Sequence, residues 1–489
     1  MTHSRCAPLL ILFGALTALS GSVAGAAERP NVVIIFIDDM GYGDVGFNGA
    51  TVPKTPHLDQ MAREGMKFTD FYVGCAVCSG SRTSLMTGCH YQRLSMPAVL
   101  FPNSTQGLHP DEVTIADILK DAGYRTACVG KWHLGHLPPC LPTNQGFDSY
   151  WGIPYSNDMW IDPANQLSDD IHLRQGITRD MLEAGHKAKN VVPILRDEEV
   201  VEYPADQSTI TRRYTEHAIE FIRQESDQPF FLYLPHTMVH LPLAVSEAFN
   251  DPSKEMITNA IEEVDWSVGQ VLDAIRDAGL AENTLVLFTS DNGAAVGSSL
   301  PLRGKKSSVY DGGIREPTLM WWPGTIEAGS VCNQVAASID VLPTLATLCD
   351  GKLPDRKIDG KDLWPLIRDP EHAPSPHEHY VLMHGPGTVR SGKWKFYPWR
   401  EGSVKQRGAE REGPDSEYPV QLYDTVADIG ETRNLAADHP DLVSDLQKVY
   451  DSHLQEIREN RRPTARLQRR PYVAPPNRPQ KKAAAKRKN

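Results

Sequence analysis

Short runs of apolar, mostly β-branched positions recur along the chain, and each stops at a cluster of polar residues. Residues 32–37 form the first run, which reads as a strand buried on both faces in a parallel or mixed sheet. It ends at Asp38-Asp39. Residues 124–129 lead into Gly130-Lys131-Trp132-His133, residues 230–234 into a segment holding His236 and His240, and residues 285–288 into Asp291-Asn292. Between these runs the apolar period changes to that of a helix. Leu58, Met61 and Ala62 follow Thr55-Pro56, and Ile115, Ile118, Leu119 and Ala122 lie between a Thr114 cap and Gly123. Another helix covers residues 214–222, and Ile257, Ile261, Val264, Val268, Leu272 and Ile275 mark a long amphipathic one. Residues 68–73 read as a short strand and 83–86 as a helix start. The alternation predicts an α/β fold: a large mixed, mostly parallel sheet flanked by helices.

The pattern also divides the chain. Residues 161–208 show no sustained period and read as an insertion or loop region, and the Pro-punctuated stretch from Asp369 to Pro376 reads as a boundary. Beyond it, short strands at residues 380–383, 389–397 and 421–423 and a helix starting at Pro440 predict a small C-terminal antiparallel sheet-and-helix subdomain. The expected organisation is a signal peptide over 1–26, a catalytic α/β domain over 27–370, an α+β subdomain over 371–460 and a basic disordered tail over 461–489.

Composition adjusts this picture in three places. A chain of 489 residues exceeds the usual single-core limit, in keeping with two units. The tail holds eleven Lys and Arg and no acid, so the net charge of −12 is −23 over residues 1–460 offset by +11. An acidic body argues against nucleic-acid binding while leaving room for an anionic substrate at a locally cationic pocket. Arg5, an apolar core over residues 8–19 and Ala24-Gly25-Ala26 form an export signal too short to span a bilayer. The mature protein is therefore expected in the periplasm or secreted, with no membrane span. Removal of Cys6 leaves seven cysteines, whose spacing does not reveal any pairing.

The chemistry concentrates in Cys78-Ser79-Gly80-Ser81-Arg82, followed by Leu85-Met86-Thr87-Gly88. Cys75-Ala76-Val77-Cys78 alone would fit a disulfide or half a zinc site, but neither needs the ordered string downstream. That string resembles the sulfatase signature Cys-x-Pro-Ser-Arg…Leu-x-Thr-Gly, with Cys78 in register and Gly80 where the family usually has proline. Ligands of open α/β sheets bind beyond the carboxyl ends of strands, where the polar clusters above fall.

The resemblance implies the following. A maturation enzyme oxidises Cys78 to formylglycine. Asp38, Asp39, Asp291 and Asn292, with the converted Cys78, hold a metal, and four hard oxygen ligands suit Ca2+, with Mg2+ possible. Arg82, Lys131 and Lys306 surround the sulfate, and Ser156 and His240 also contact substrate. A hydroxyl of the hydrated aldehyde attacks sulfur with Asp291 as base, His240 or Lys306 protonates the departing alcohol, and His133 takes the second hydroxyl's proton. His240 fits the family histidine better than His236 does, and Lys306 better than Lys305. The expected substrate is a sulfated carbohydrate or aryl sulfate. Two other readings are a phosphate or phosphonate ester hydrolase of the same superfamily and, if Cys78 stays unoxidised, a silent sulfoglycan-binding protein.

Overall fold

The computed structural model describes residues 1–2, 29–186, 188–385, 387–398 and 420–467. The signal-peptide expectation and the tail from residue 468 lie outside these. Among the described residues the main sheet has eleven strands. Five central strands run parallel, in the spatial order Thr284–Ser290, Asn31–Ile37, Phe230–Pro235, Arg125–Val129 and Ser149–Gly152. Asn31–Ile37 is buried at every position, as its unbroken apolar run requires of a central strand covered on both faces.

Alternate residues of that strand feed two separate cores. Val32, Ile34 and Phe36 pack with residues of the helices Cys78–Thr87, Ile115–Asp121 and Val341–Leu348. Val33, Ile35 and Ile37 pack with residues of Pro56–Glu64, Ile210–Ile222 and Met256–Asp277. The fold class is the expected one, a helix–sheet–helix sandwich.

Residues 161–208, expected to be loop, instead contain the strands Gln166–Leu173, Ile194–Arg196 and Glu199–Tyr203, which extend the sheet beyond Ser149–Gly152. Gln166–Leu173 carries its side chains into partly exposed positions, so no apolar alternation marked it. The expected strand over 68–73 is two strands, Met66–Phe68 and Phe71–Tyr72, which join different sheets on either side of Asp70. Asp70 turns away to meet Arg315 and Arg390 at 3.1 and 3.0 Å.

A four-stranded antiparallel sheet, Tyr380–Leu382, Thr388–Ser391, Trp394–Tyr397 and Gln421–Asp424, packs against the helix Pro440–Glu459. It is fixed to the main body by charge as well as apolar contact: fully buried Lys395 pairs with Asp311 and lies 3.3 Å from Glu431. The first residues of the expected tail, 461–467, pack against the body. Ala465–Arg466 pairs with Gln106–Gly107, and Arg462 binds Glu112 through two nitrogens at 2.9 Å.

Candidate active site

The carboxyl ends of the five parallel strands converge. Asp38-Asp39 follow Asn31–Ile37, Asp291-Asn292 follow Thr284–Ser290, Lys131 follows Arg125–Val129, and Ser156 follows Ser149–Gly152. The segment carrying His240 follows Phe230–Pro235. A Cβ on Gly152 would stand 1.9 Å from the Gly130 carbonyl oxygen, so only glycine lets those two strand ends close up and bring Lys131 beside Ser156. Asp39 and His133 take left-handed backbone angles, φ 63° and 60°, which turn the chain sharply where it leaves its strand.

Cys78 opens the helix Cys78–Thr87, several residues ahead of the expected start. No side chain caps this helix, and all ten of its residues are buried. The thiol therefore stands at a buried helix N-terminus, a place that favours negative charge. Its Sγ donates to Asp38 Oδ1 at 3.4 Å, and Lys306 Nζ lies 3.5 Å away on the other side.

Four oxygen-bearing side chains gather against it. The ligand atoms of Asp38, Asp39, Asp291 and Cys78 all lie within 4.8 Å of one another. The Asn292 amide nitrogen donates to Asp39 Oδ1 at 2.7 Å, which turns Asn292 Oδ1 away. Asn292 Oδ1 and Asp39 Oδ2 are both buried and unpartnered. Orphaned buried oxygens beside two more carboxylates, with no sulfur donor required, are a donor set that fits a hard divalent cation.

Cations ring the acids. Lys131 Nζ donates to Asp38 Oδ2 at 2.5 Å and to Ser156 Oγ at 3.3 Å, and Lys306 Nζ pairs with Asp39 Oδ1 at 2.6 Å. Arg82 is fully buried. Its Nε and one terminal nitrogen reach Asp291 Oδ2 at 3.1 and 2.8 Å, and the other donates to the Lys131 carbonyl at 2.9 Å. Burial alone would raise the Asp38 carboxyl, but Lys131, His240, Arg82 and Lys306 outweigh it and hold Asp38 well below the usual range. Burial and then the charge of Asp38 push Asp291 up to about 7, against the pull of Arg82.

The two histidines are fixed in opposite tautomers. His133 Nε2 donates to the Leu100 carbonyl at 2.9 Å, leaving buried Nδ1 unpartnered. Burial, followed by the charge of Lys131, pushes His133 well below its ordinary pKa, so it is neutral with the lone pair on Nδ1. His240 Nδ1 faces two acceptors, Asn157 Oδ1 at 2.9 Å and the Leu241 carbonyl at 2.5 Å. Its Nε2 therefore bears the free lone pair in the neutral ring, 3.3 Å from Ser156 Oγ and 3.7 Å from Asp39 Oδ2.

The other two candidates stand apart. His236 is buried against Ser267, 3.2 Å from its Oγ, and Lys305 donates to the Gly297 carbonyl on the exposed side. The structure brings Cys78, Arg82, Lys131, Ser156, His240, Lys306, Asp38, Asp39, Asp291 and Asn292 into one network. His133 joins through Leu100, whose N–H donates to Ser79 Oγ at 3.0 Å. Two participants escaped the sequence reading. Asn157, next to Ser156, orients His240, and Leu100 works through its backbone alone, which no side-chain pattern reveals. The Cys75–Cys78 disulfide does not form: all seven cysteines among the described residues are free and buried.

A family model described as Sulfatase matches residues 30–351. Human arylsulfatase A is 37% identical over 450 residues, covering 86% of each chain. Mouse N-acetylgalactosamine-6-sulfatase is 35% identical, covering 81% of this chain and 77% of its own length. Among solved structures, Ps i-CgsB in complex with k-i-k-neocarrahexaose superposes with a TM-score of 0.73 at 25% identity, over 89% of this chain and 94% of that one.

Proposed function

The chain belongs to the sulfatase family and is a sulfuric ester hydrolase, and on that footing we propose that it desulfates a carbohydrate or aryl sulfate through a formylglycine made from Cys78. The observation that carries this reading is the position of Cys78 Sγ between Asp38 Oδ1 and Lys306 Nζ, at a buried helix N-terminus. A thiol there is a poor nucleophile, because burial and the charge of Asp38 raise its pKa far above neutrality. A hydrated aldehyde at the same position would supply two hydroxyls, one to attack sulfur and one whose deprotonation releases sulfate. Asp38, Asp39, Asp291 and Asn292 would hold Ca2+, or Mg2+, which would supply Lewis-acid stabilisation of charge on the sulfate oxygens.

The residues then divide the work. Lys131 and Lys306 present fixed positive charge where the transition state gathers negative charge, in a buried setting where such charge counts most. Arg82 has all three nitrogens engaged by protein, so it acts by holding Asp291 and the Lys131 backbone in place. Asp291, beside the position of Cys78 in the same cluster, takes the proton of the attacking hydroxyl. His240, when doubly protonated, delivers a proton from Nε2 to the departing alcohol while Asn157 keeps the ring aligned. His133 Nδ1 receives the second hydroxyl's proton.

The substrate class is drawn from the relatives: an arylsulfatase and a sulfatase named for an amino sugar. No helix among the described residues is long and apolar enough to cross a membrane. With the leader at Arg5 to Ala26, this supports a protein exported to the periplasm or secreted, matured by a formylglycine-generating partner. Turnover of aryl sulfates and sulfated sugars should exceed that of matched phosphate esters, and Cys78→Ala should abolish it. Equal turnover of both ester classes, or activity surviving Cys78→Ala, would overturn the reading.

A further inference from the structure

Beyond the reacting centre, Arg174, Gln175, Asn190, residues 204–207 and the turn after His240 border an open cavity of about 590 Å³. Its size falls in the range of small-molecule sites, ~300–1,000 Å³. One layer of side chain separates it from the reaction. Asn157 Nδ2 donates to Gln207 Oε1 at 3.0 Å and to the Pro242 carbonyl at 3.1 Å, and both Gln207 and Pro242 line the cavity. Asn157 Oδ1 holds His240. A molecule held in the cavity would therefore lie beside the residue assigned to the departing alcohol.

The lining says what kind of molecule fits. Arg174, Gln175, Asn190 and Asp206 bring donors and acceptors, and Pro204, Ala205, Pro242 and Ala244 add small apolar surface. No aromatic ring lines it, so it offers an aryl group no stacking partner. Hydrogen-bonding groups mixed with small apolar surface match a sugar ring, with its hydroxyl edge and C–H face. Arg174 brings a partly exposed cation to this lining, 38% of its side chain being open to solvent. Glu202 is already bound by two nitrogens of Arg213, at 3.2 and 2.8 Å. Arg174 Nε is buried 3.4 Å from the same carboxylate, so a ligand would meet the exposed part of this side chain.

Resting on the sulfated-carbohydrate reading above, we propose that this cavity is a subsite for a sugar linked next to the sulfated unit, making the protein an oligosaccharide sulfatase. The strands that the sequence pattern concealed, Gln166–Leu173 and Glu199–Tyr203, lead directly into Arg174 and residues 204–207 of its lining.

The test compares kcat/KM for a sulfated monosaccharide and for the same unit within a trisaccharide, using the full matured chain. Wild type should prefer the trisaccharide. Arg174→Ala should lower the trisaccharide-to-monosaccharide ratio about tenfold, a loss of about 1.4 kcal/mol of selective binding. Ala244→Trp fills the cavity from its apolar surface without removing a polar partner and should reduce the same ratio should Arg174→Ala fail to fold. A ratio near one in wild type, or a ratio unmoved by the variants, overturns the subsite while leaving sulfate hydrolysis intact. Activity on aryl sulfates alone overturns it too, and no activity on any sulfate ester overturns the underlying reading.

Discussion

The Cβ position of Gly80 lies 2.6 Å from Cys75 Sγ, so the residue two places after Cys78 and the residue three places before it compete for one space. Glycine at position 80 is thus explained by packing in the folded protein. Its consequences for maturation act on the unfolded chain, where proline would narrow the ensemble that a maturation enzyme must bind. Gly80→Pro should therefore raise the fraction of Cys78 converted to formylglycine while destabilising the product. Overpacking against Cys75 costs about 1–3 kcal/mol. Losing the Gly80 N–H to Ala98 carbonyl bond, 3.0 Å long, costs about 1 kcal/mol more. Adding Cys75→Ala should recover most of the overpacking cost. Peptide mass spectrometry around residue 78 and thermal melts measure the two effects separately. A thiol at Cys78 in active wild type would remove formylglycine from the mechanism.

Asp291→Asn keeps the shape of the side chain but removes the charge that faces Arg82. Purified wild type should carry one divalent ion per chain at the Asp38, Asp39, Asp291 and Asn292 cluster, and the variant should lose it together with turnover. Arg82 then keeps only its longer pairing to Asp38, at 3.6 Å, and stability should fall, so metal content is read by elemental analysis at a temperature where circular dichroism shows the variant folded. Stoichiometric metal retained in the folded variant would refute the ligand assignment.

The two histidines of the 236–240 segment should separate in kinetics. Burial lowers the His240 pKa, more than Asp38 raises it, so its doubly protonated form is populated only on the acid side. The acid form of His240 is complete below its pKa and is lost as pH rises through it, which gives turnover an alkaline limb. His240→Gln should cut kcat and flatten that limb. Asn157→Leu, which removes one of the two acceptors at Nδ1, should lower kcat about tenfold with the limb retained. His236, held at about 3 by burial, stays neutral, and His236→Ala should reduce thermal stability with little change in kcat. Equal kinetic losses at both histidines would exchange their roles.

Much of this was legible because the main determinants are local. Strand-end polar clusters announce themselves by an abrupt stop in an apolar run, and Asp38-Asp39, Lys131 and Asp291-Asn292 all stand at such stops. Three features were not legible, each for a physical reason. Gln166–Leu173 is an outer strand whose side chains are mostly half-exposed, so neither face repeats. The break at Thr69-Asp70 is set by Arg315 and Arg390, over 240 residues away. The packed start of the tail depends on Arg462 finding Glu112, a pairing that composition read only as surplus positive charge.

The tail's neighbour, the helix Pro440–Glu459, supplies the last prediction. Arg93, wholly buried, binds Asp359 at 2.5 Å and Glu456 of that helix at 2.6 Å, tying the C-terminal unit to the catalytic body. Burial would raise Asp359, but hydrogen bonding and charge from Arg93, with His90, hold it at about 2 instead of 3.8. Glu456 is held at about 2 first by its hydrogen bond to Arg93. Both carboxylates thus bind protons more readily in the unfolded chain. Their stabilising effect is complete above about pH 4–5, where the unfolded carboxylates are ionised, and is lost as pH falls through about 2. Arg93→Leu should lower stability strongly at pH 6 and less at pH 3, because part of the wild-type advantage has already gone there. Urea unfolding followed by circular dichroism at the two pH values measures the difference. The same destabilisation at both would mean that the packing of the Arg93 side chain, and not its charge, joins the two units.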